Sequence, residues 1–273
     1  MFTMIGRDNF EKTRRVGEAI LARCRILMFR KGYGDFRRTS LKIIGAEEAY
    51  GANARPAARL SRELVLRLDV HHDDPKALAV FAREIAPAGL AMGPGRCSLV
   101  GGRPAVTPLV RLFTFLVPKS ELRVSVMLDG TRHEIDVPPG SSRHFPRDNS
   151  HETPDPQTDW DAEVPLESLA VARSGDKGDI ANIGVIARAP EYFPYIEASL
   201  TCDNVRRYFQ HLVEGKVERF KLPGLHALNF LLHDALDGGG TASLRNDPLG
   251  KSFAQMLLDY PVRVPAKLER ALG

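Results

Sequence analysis

A proline-rich stretch near the middle of the chain limits its fold more than any other feature. Between 138 and 163 there are five prolines, and the apolar residues are Phe145, Trp160 and Ala162 alone. A segment with so few apolar side chains cannot join a hydrophobic core, and its composition is that of a linker. We therefore expect an N-terminal part at 1–137, a linker at 138–163 and a C-terminal part at 164–273, with Trp160 docked on the C-terminal part.

The N-terminal part has the pattern of a mixed α/β fold. Apolar residues recur at helical spacing between 9 and 31 and predict a helix, which Asp8 and Glu11 would begin as a capping box. Apolar and polar residues alternate over 64–70, as in a half-buried strand. The other predicted elements are strands at 41–44, 109–117, 122–128 and 131–137, a hairpin turn at Asp129-Gly130, and a helix that Asp74 caps and Pro75 begins.

The C-terminal part alternates short apolar strands with helical patterns. This alternation favours a compact two-layer α/β sandwich, so the predicted class of the whole chain is α/β (α+β). Pro223-Gly224 would begin one of its helices. The predicted strands are 166–171, 183–187, 217–222, 241–244 and one near Val262, and the predicted helices are 191–200, 204–213, 225–236 and 248–258.

Charge and cysteine content exclude several kinds of protein. Lys and Arg number 38 against 34 Asp and Glu, and no concentrated basic stripe predicts nucleic-acid binding. Three distant cysteines without a C-x-x-C pair make a zinc ribbon or a disulfide framework unexpected. No apolar run is long enough to span a bilayer, and no signal-peptide pattern is present. We therefore expect a cytoplasmic protein that does not act at a membrane.

The segment 173–179 is the first candidate for chemistry. It contains five ionisable or hydroxyl side chains and two glycines, whereas a plain connection between strands needs only one or two turn residues. The glycines would let backbone N–H groups converge on an anion, and the cations would add charge-assisted contacts. The carboxylates would instead bind a cation or act as acid and base. A loop that pairs its own ions is an equally open interpretation.

A second candidate lies on the predicted helix after Gly224. His226, Asn229 and His233 would line one face of that helix, because they are three and four residues apart. A polar row of this kind suits substrate binding, with His226 transferring a proton. A solvent-facing stripe is the alternative, and the seven-residue spacing of the histidines does not suit zinc.

A third candidate is the glycine run 238–240 with the hydroxyl residues that follow it. Three consecutive glycines cost conformational entropy, so they need a physical reason. Either the loop moves or its backbone approaches another group closely, and a flexible turn remains open as well.

These three motifs resemble a known family. The strings ARSGDKGDIANIGVIAR at 172–188, LPGLHALNF at 222–230 and GGGTASLR at 238–245 are similar to the signature of the acyclic terpene utilisation (AtuA-type) family. The strings at 85–89, 101–104 and 115–119 resemble its larger domain. The resemblance implies a C-terminal ferredoxin-like domain and a role in the breakdown of citronellol- or geraniol-type isoprenoids through acyl-CoA thioesters.

Members of the family usually have a longer N-terminal domain, and Met1 falls where the middle of that domain is expected. The N-terminal part would then be incomplete, and a homo-oligomer or a partner chain is expected. A truncated reading frame, a split gene and a natural short form remain open.

Two functions follow from the motifs and the resemblance. One is an acyl-CoA hydratase or lyase step, with the thioester as substrate and no cofactor or metal. The other is a non-catalytic subunit that binds a small acyl or carboxylate ligand. The expected catalytic residues are Asp176, Asp179 and His226. The expected ligand-binding residues are Arg173, Ser174, Gly175, Lys177, Gly178, Asn182, Asn229, Gly239, Gly240, Thr241 and Ser243.

Overall fold

The first ninety-eight residues fold around one antiparallel sheet. The structure, a computed structural model, describes residues 1–98, 102–113, 115–138, 160–222 and 224–272. Its N-terminal sheet has the strand order β2-β3-β1-β4. With two helices, this gives the βαββαβ order of ferredoxin-like folds. The elements are β1 (Phe2–Ile5), α1 (Asn9–Arg30), β2 (Arg38–Ile44), β3 (Glu63–His71), α2 (Pro75–Ala91) and β4 (Arg96–Ser98).

Both predicted N-terminal helices are confirmed, but one predicted cap is wrong. The apolar stripe of α1 is buried against the sheet and α2. Asp74 caps α2 as expected, since its side chain accepts the backbone N–H of Lys76. Asp8 makes no side-chain cap, because its backbone is left-handed, and Glu11 pairs with Arg14 instead of completing a capping box.

Residues 102–138 form an exposed segment that we call the arm. The strand predicted at 109–117 is wrong: these residues form no strand in the described part. The hairpin is confirmed, with β5 (Val124–Leu128) paired to β6 (Thr131–Ile135). Asp129 and Gly130 both have positive φ, as the two central residues of a type I′ turn require.

The C-terminal part is a two-layer sandwich, as predicted. Its four-stranded sheet is antiparallel, with the order β10-β11-β9-β8. A two-stranded sheet joins the first and last strands of this part. The elements are β7 (Ala162–Pro165), α3 (Leu166–Leu169), β8 (Ala170–Lys177), β9 (Ile180–Ala187), α4 (Phe193–Ser199), α5 (Cys202–Tyr208), β10 (Val217–Leu222), β11 (Ala227–Leu232), α6 (Phe253–Leu258), β12 (Pro261–Val264) and α7 (Ala266–Leu272).

The largest error in the predicted elements is the helix at 225–236. This segment forms β11, in which Leu228, Phe230 and Leu232 are buried and Asn229 and Leu231 point to the other face. Burial that alternates with a period of two over 228–232 is a strand pattern, but a short apolar run of this kind also fits helical spacing. The row of polar side chains predicted on that helix therefore does not exist.

Smaller differences concern the ends of elements. The segment 166–171 begins as the short helix α3, and only its last residues belong to β8. The strand predicted at 241–244 is replaced by one 3-10 turn at Gly240–Ala242. Most of the predicted linker lies outside the described residues, but Trp160 packs edge-to-face on Tyr195 with ring centroids 4.8 Å apart, so it docks as expected.

Polar contacts connect the two parts of the chain. Arg38 on β2 forms an ion pair with Asp237, and the Arg67 Nη1 on β3 donates to the Asn246 Oδ1 at 2.9 Å. The loop around Gly51 lies directly against the ring of His211. Within the described ranges, no helix has the length and apolar character that a bilayer crossing requires.

Candidate functional site

The first candidate motif follows a strand instead of forming a loop. β8 continues to Lys177 and pairs along its whole length with β9. The connection is a two-residue turn at Gly178 and Asp179, in which Gly178 has a φ of 68°. Glycine with positive φ at the first turn position is typical of type II′ hairpins. The predicted seven-residue loop is therefore wrong, and the strand geometry decides where each side chain points.

Alternation along β8 divides the motif between two faces of the sheet. Ser174 points to the helical face, where its Oγ accepts the backbone N–H of Ala254 at 2.9 Å. This bond satisfies one of the free N–H groups at the start of α6 and leaves Ser174 only 9% exposed. The geometry therefore favours a structural role for Ser174. Arg173, Gly175 and Lys177 lie on the opposite face.

The tip of the hairpin packs against the third candidate motif. One carboxylate oxygen of Asp179 accepts the backbone N–H groups of Leu236 and Gly238, each at 3.0 Å. The Asp179 carbonyl also accepts the Ala235 N–H at 3.0 Å. These bonds fix the glycine loop to the turn. The geometry therefore favours an anchoring role for Asp179 over the predicted acid–base role.

Gly239 is needed where the two motifs meet. A Cβ at this position would lie 2.2 Å from the carbonyl oxygen of Gly178, and the Gly239 φ is 66°. Close backbone approach is thus the reason for at least one of the three glycines. Both of the following hydroxyls have partners: the Thr241 Oγ1 donates to the Val110 carbonyl of the arm, and the Ser243 Oγ accepts the nearby Arg245 N–H at 3.1 Å.

Two asparagines on neighbouring strands form a polar pair. Asn182 on β9 and Asn229 on β11 lie on the face opposite the helices, and the Asn182 Nδ2 donates to the Asn229 Oδ1 at 2.6 Å. The same Asn182 nitrogen lies 3.3 Å from the Phe230 carbonyl. The Asn182 Oδ1 and the Asn229 Nδ2 have no hydrogen-bond partner within the described residues. The pair can therefore still accept from and donate to a ligand.

His226 does not join this group. It follows the β10–β11 turn with a φ of 49°, and its ring packs edge-to-face on Phe193 at 6.0 Å. The hairpin tip is at the other end of β11, roughly 15–20 Å away at the rise of a strand. His233 contacts Glu218 at 2.6 Å, and its hydrogen bond lowers the pKa of Glu218. Sequence reasoning thus grouped side chains that the fold separates.

Three cations surround the β8–β9 hairpin. The Arg173 guanidinium is exposed and forms no ion pair within the described residues. The Lys177 Nζ donates to the Asp176 carbonyl at 2.9 Å. The Lys251 Nζ lies 3.7 Å from the Asp176 Oδ1 and would approach a Cβ on Gly175 to 3.1 Å. Sequence reasoning missed Lys251, because no local pattern indicates that it returns to β8.

The face opposite the helices is also partly apolar. Val171 on β8, Ile186 on β9 and Leu222 on β10 are 46%, 47% and 38% exposed. We call this surface the open face; its other members are Arg173, Gly175, Lys177, Ile180, Asn182, Gly184, Glu218, Phe220, Asn229 and Leu231. Alternation within the strands predicted at 166–171, 183–187 and 217–222 is the signal that could have indicated these apolar members. Within the described part of the chain, no group of three His, Cys, Asp or Glu side chains is placed to hold a metal.

Two family models match most of the chain. The model of the AtuA ferredoxin-like domain matches residues 164–263, and the model of the acyclic terpene utilisation family protein AtuA matches residues 1–128. Neither the curated proteins nor the solved structures contain a significant match. The three motifs of the site lie within the ferredoxin-like match, and the arm lies mostly within the other.

Proposed function

Because this chain belongs to the acyclic terpene utilisation (AtuA) family and so has a role in terpene catabolism, we propose that its open face binds an acyclic isoprenoid that carries a carboxylate or a CoA thioester. The observation that supports this proposal most is the combination of three kinds of surface on one face. Apolar side chains, an amide pair with free hydrogen-bonding atoms and exposed cations lie together. Such a ligand has a branched apolar chain, a carbonyl group and an anionic end.

Each part of the ligand has a matching group. The exposed Val171 and Ile186 are apolar surface for the branched chain, which loses contact with water when it binds. The free Asn229 Nδ2 is a donor for a carbonyl or carboxylate oxygen. Arg173 and Lys177, four residues apart on the same face of β8, are partners for the carboxylate or for a phosphate of CoA.

Titration calorimetry with citronellate tests this assignment. Arg173→Ala and Lys177→Ala should each weaken binding by about 1–3 kcal/mol, the scale of one charge-assisted hydrogen bond. Arg206→Ala is the matched control, because Arg206 is an exposed arginine on α5, on the helical side of the sheet. Equal affinities in all four proteins would show that the open face is not the binding surface.

Binding without catalysis is the second candidate function. Asp179 is engaged with backbone N–H groups and His226 lies at the other end of β11, so neither is placed to assist Asp176 in acid–base chemistry. A hydratase or lyase step would then rest on Asp176 alone, and alternation along β8 places Asp176 with Ser174 on the helical side of the sheet and not on the open face. Incubation of the protein with an unsaturated isoprenoid acyl-CoA separates the two functions: product that disappears in Asp176→Asn supports catalysis, and binding without product supports the non-catalytic subunit.

A further inference from the structure

The arm holds more exposed large apolar side chains than all the rest of the described residues together. Of the 26 large apolar side chains that are exposed in the described residues, fourteen lie between Val106 and Ile135. Phe113 and Phe115 stack on each other and are still 82% and 72% exposed. Fourteen such side chains leave on the order of 1,000 Å² of apolar area in water. So much uncovered apolar area concentrated in one segment indicates an interaction site.

The hairpin at the end of the arm has one apolar face. Its register places Val124, Val126, Leu128 and Ile135 on the same side, with exposures of 40%, 46%, 60% and 46%, together with Thr131 and His133. Ser125, Arg132 and Glu134 lie on the other side with Met127. A lone two-stranded hairpin is marginally stable in water, and an apolar face needs a surface to pack against. The hairpin is therefore expected to gain most of its stability from a partner.

The free edge of β6 is complementary to itself. In a hairpin with a two-residue turn, the residues that flank the turn form a hydrogen-bonded pair, here Leu128 and Thr131. The backbone N–H and C=O groups of Arg132 and Glu134 must then point away from β5. Neither proline nor lysine occurs within β6 to block pairing at this edge.

We propose that β6 pairs antiparallel with β6 of a second copy of this chain, about a two-fold axis at His133. This register places Arg132 opposite Glu134 of the second copy, and Glu134 opposite its Arg132, so two ion pairs form on the polar side. The outward backbone groups of the same residues form the ladder hydrogen bonds. The two hairpins become one four-stranded sheet whose apolar face packs with the apolar side chains of 106–113 and 115–117.

A second copy explains these features better than an unrelated partner. Arg132 and Glu134 are complementary to the same two residues of another copy when the two strands are related by a two-fold axis. A partner with a different sequence is therefore not needed to explain these charges. The uncovered apolar area also meets the roughly 800 Å² per partner that a stable interface buries. The base of the arm reaches the candidate site, since the Val110 carbonyl accepts the Thr241 hydroxyl and Arg111 lies 3.1 Å from the Cβ position of Gly238.

Charge exchange in the full-length chain tests both the interface and its register. Sedimentation velocity should show a dimer for the unchanged protein. Arg132→Glu alone and Glu134→Arg alone should each weaken it about tenfold or more, because like charges then face each other twice. The double variant should restore the dimer, and so should an equimolar mixture of the two single variants. Arg30→Glu, at an exposed arginine of α1, is the control and should leave the dimer unchanged.

Three results would overturn the proposal. They are a monomer at every concentration of the unchanged protein, a dimer that Arg132→Glu does not weaken, and a weakened dimer that neither the double variant nor the mixture restores. Circular dichroism of each variant shows whether it is folded before its mass is interpreted. The ligand affinity of the open face is measured separately, so a failure here leaves that proposal standing.

Discussion

Replacement of Gly239 by alanine should destabilise the C-terminal part far more than the same change one residue later. The Gly239 backbone has φ 66° and ψ 165°, a region that is almost restricted to glycine and costs other residues about 1–3 kcal/mol. The new Cβ would also lie 2.2 Å from the Gly178 carbonyl oxygen. Forcing the turn and the glycine loop apart adds about 1–3 kcal/mol, as in other overpacked sites.

Gly240→Ala is the matched control for this prediction. Gly240 also has a positive φ, 51°, but no atom lies within 4 Å of its Cβ position. Gly240→Ala should therefore lower the free energy of unfolding only by the cost of left-handed backbone strain, about 1–2 kcal/mol. Urea unfolding followed by the fluorescence of Trp160 measures both costs, because this single tryptophan packs on Tyr195 of the C-terminal part. Equal losses of unfolding free energy in the two variants would refute the close contact between the motifs.

Three other predictions follow from individual contacts. Asp179→Ala should cost about 2–4 kcal/mol in urea unfolding, because two backbone N–H groups lose their acceptor, and Asp179→Asn should cost less; equal costs would contradict the anchoring role. Burial raises the pKa of Tyr208 to about 12, which favours the neutral phenol in the folded state. The contribution of Tyr208 to the free energy of unfolding should therefore be full below pH 10 and should fall as the pH rises towards 12. Tyr208→Phe should remove that part of the pH dependence. Burial also raises the pKa of Cys24 to about 11, so a thiol reagent should modify the exposed Cys97 in the native protein and Cys24 only after unfolding.

The elements that were predicted well are those with a long or unambiguous pattern. The helix α1 repeats its apolar stripe over several turns, and the alternation over 64–70 covers most of β3. The helix α2 has both an aspartate cap and a proline at its start. In each case the local signal agrees with the tertiary packing, so the pattern was sufficient.

The elements that were missed depend on contacts that are distant in sequence. The five apolar residues at 227–232 fit a strand and a helix equally well, and the pairing with β9 and β10 decides for the strand. The segment 109–117 has the composition of a strand, but no neighbouring strand pairs with it in the described part. The composition of a segment indicates its propensity to form a strand, but it does not show whether a second strand is placed to pair with it.

The candidate site was predicted in part for the same reason. Gly239 was correctly expected to need a physical explanation, and the contact with Gly178 provides one. The division of Ser174 and Arg173 between two faces follows from a strand that was taken for a loop. Lys251 reaches the hairpin from more than seventy residues away, so no motif could have included it.

The side-chain amide signals of Asn182 and Asn229 test the central claim most directly. In a nitrogen-15 NMR titration of the full-length protein, citronellate should shift both signals, because its carboxylate would lie beside the amide pair while its branched chain covers Val171 and Ile186. Citronellol has the same chain without the negative charge, and it should shift them much less, since Arg173 and Lys177 gain nothing from an alcohol. Amide signals that stay fixed at saturating citronellate, or that respond equally to the alcohol, would contradict the assignment of the open face as the anionic isoprenoid site.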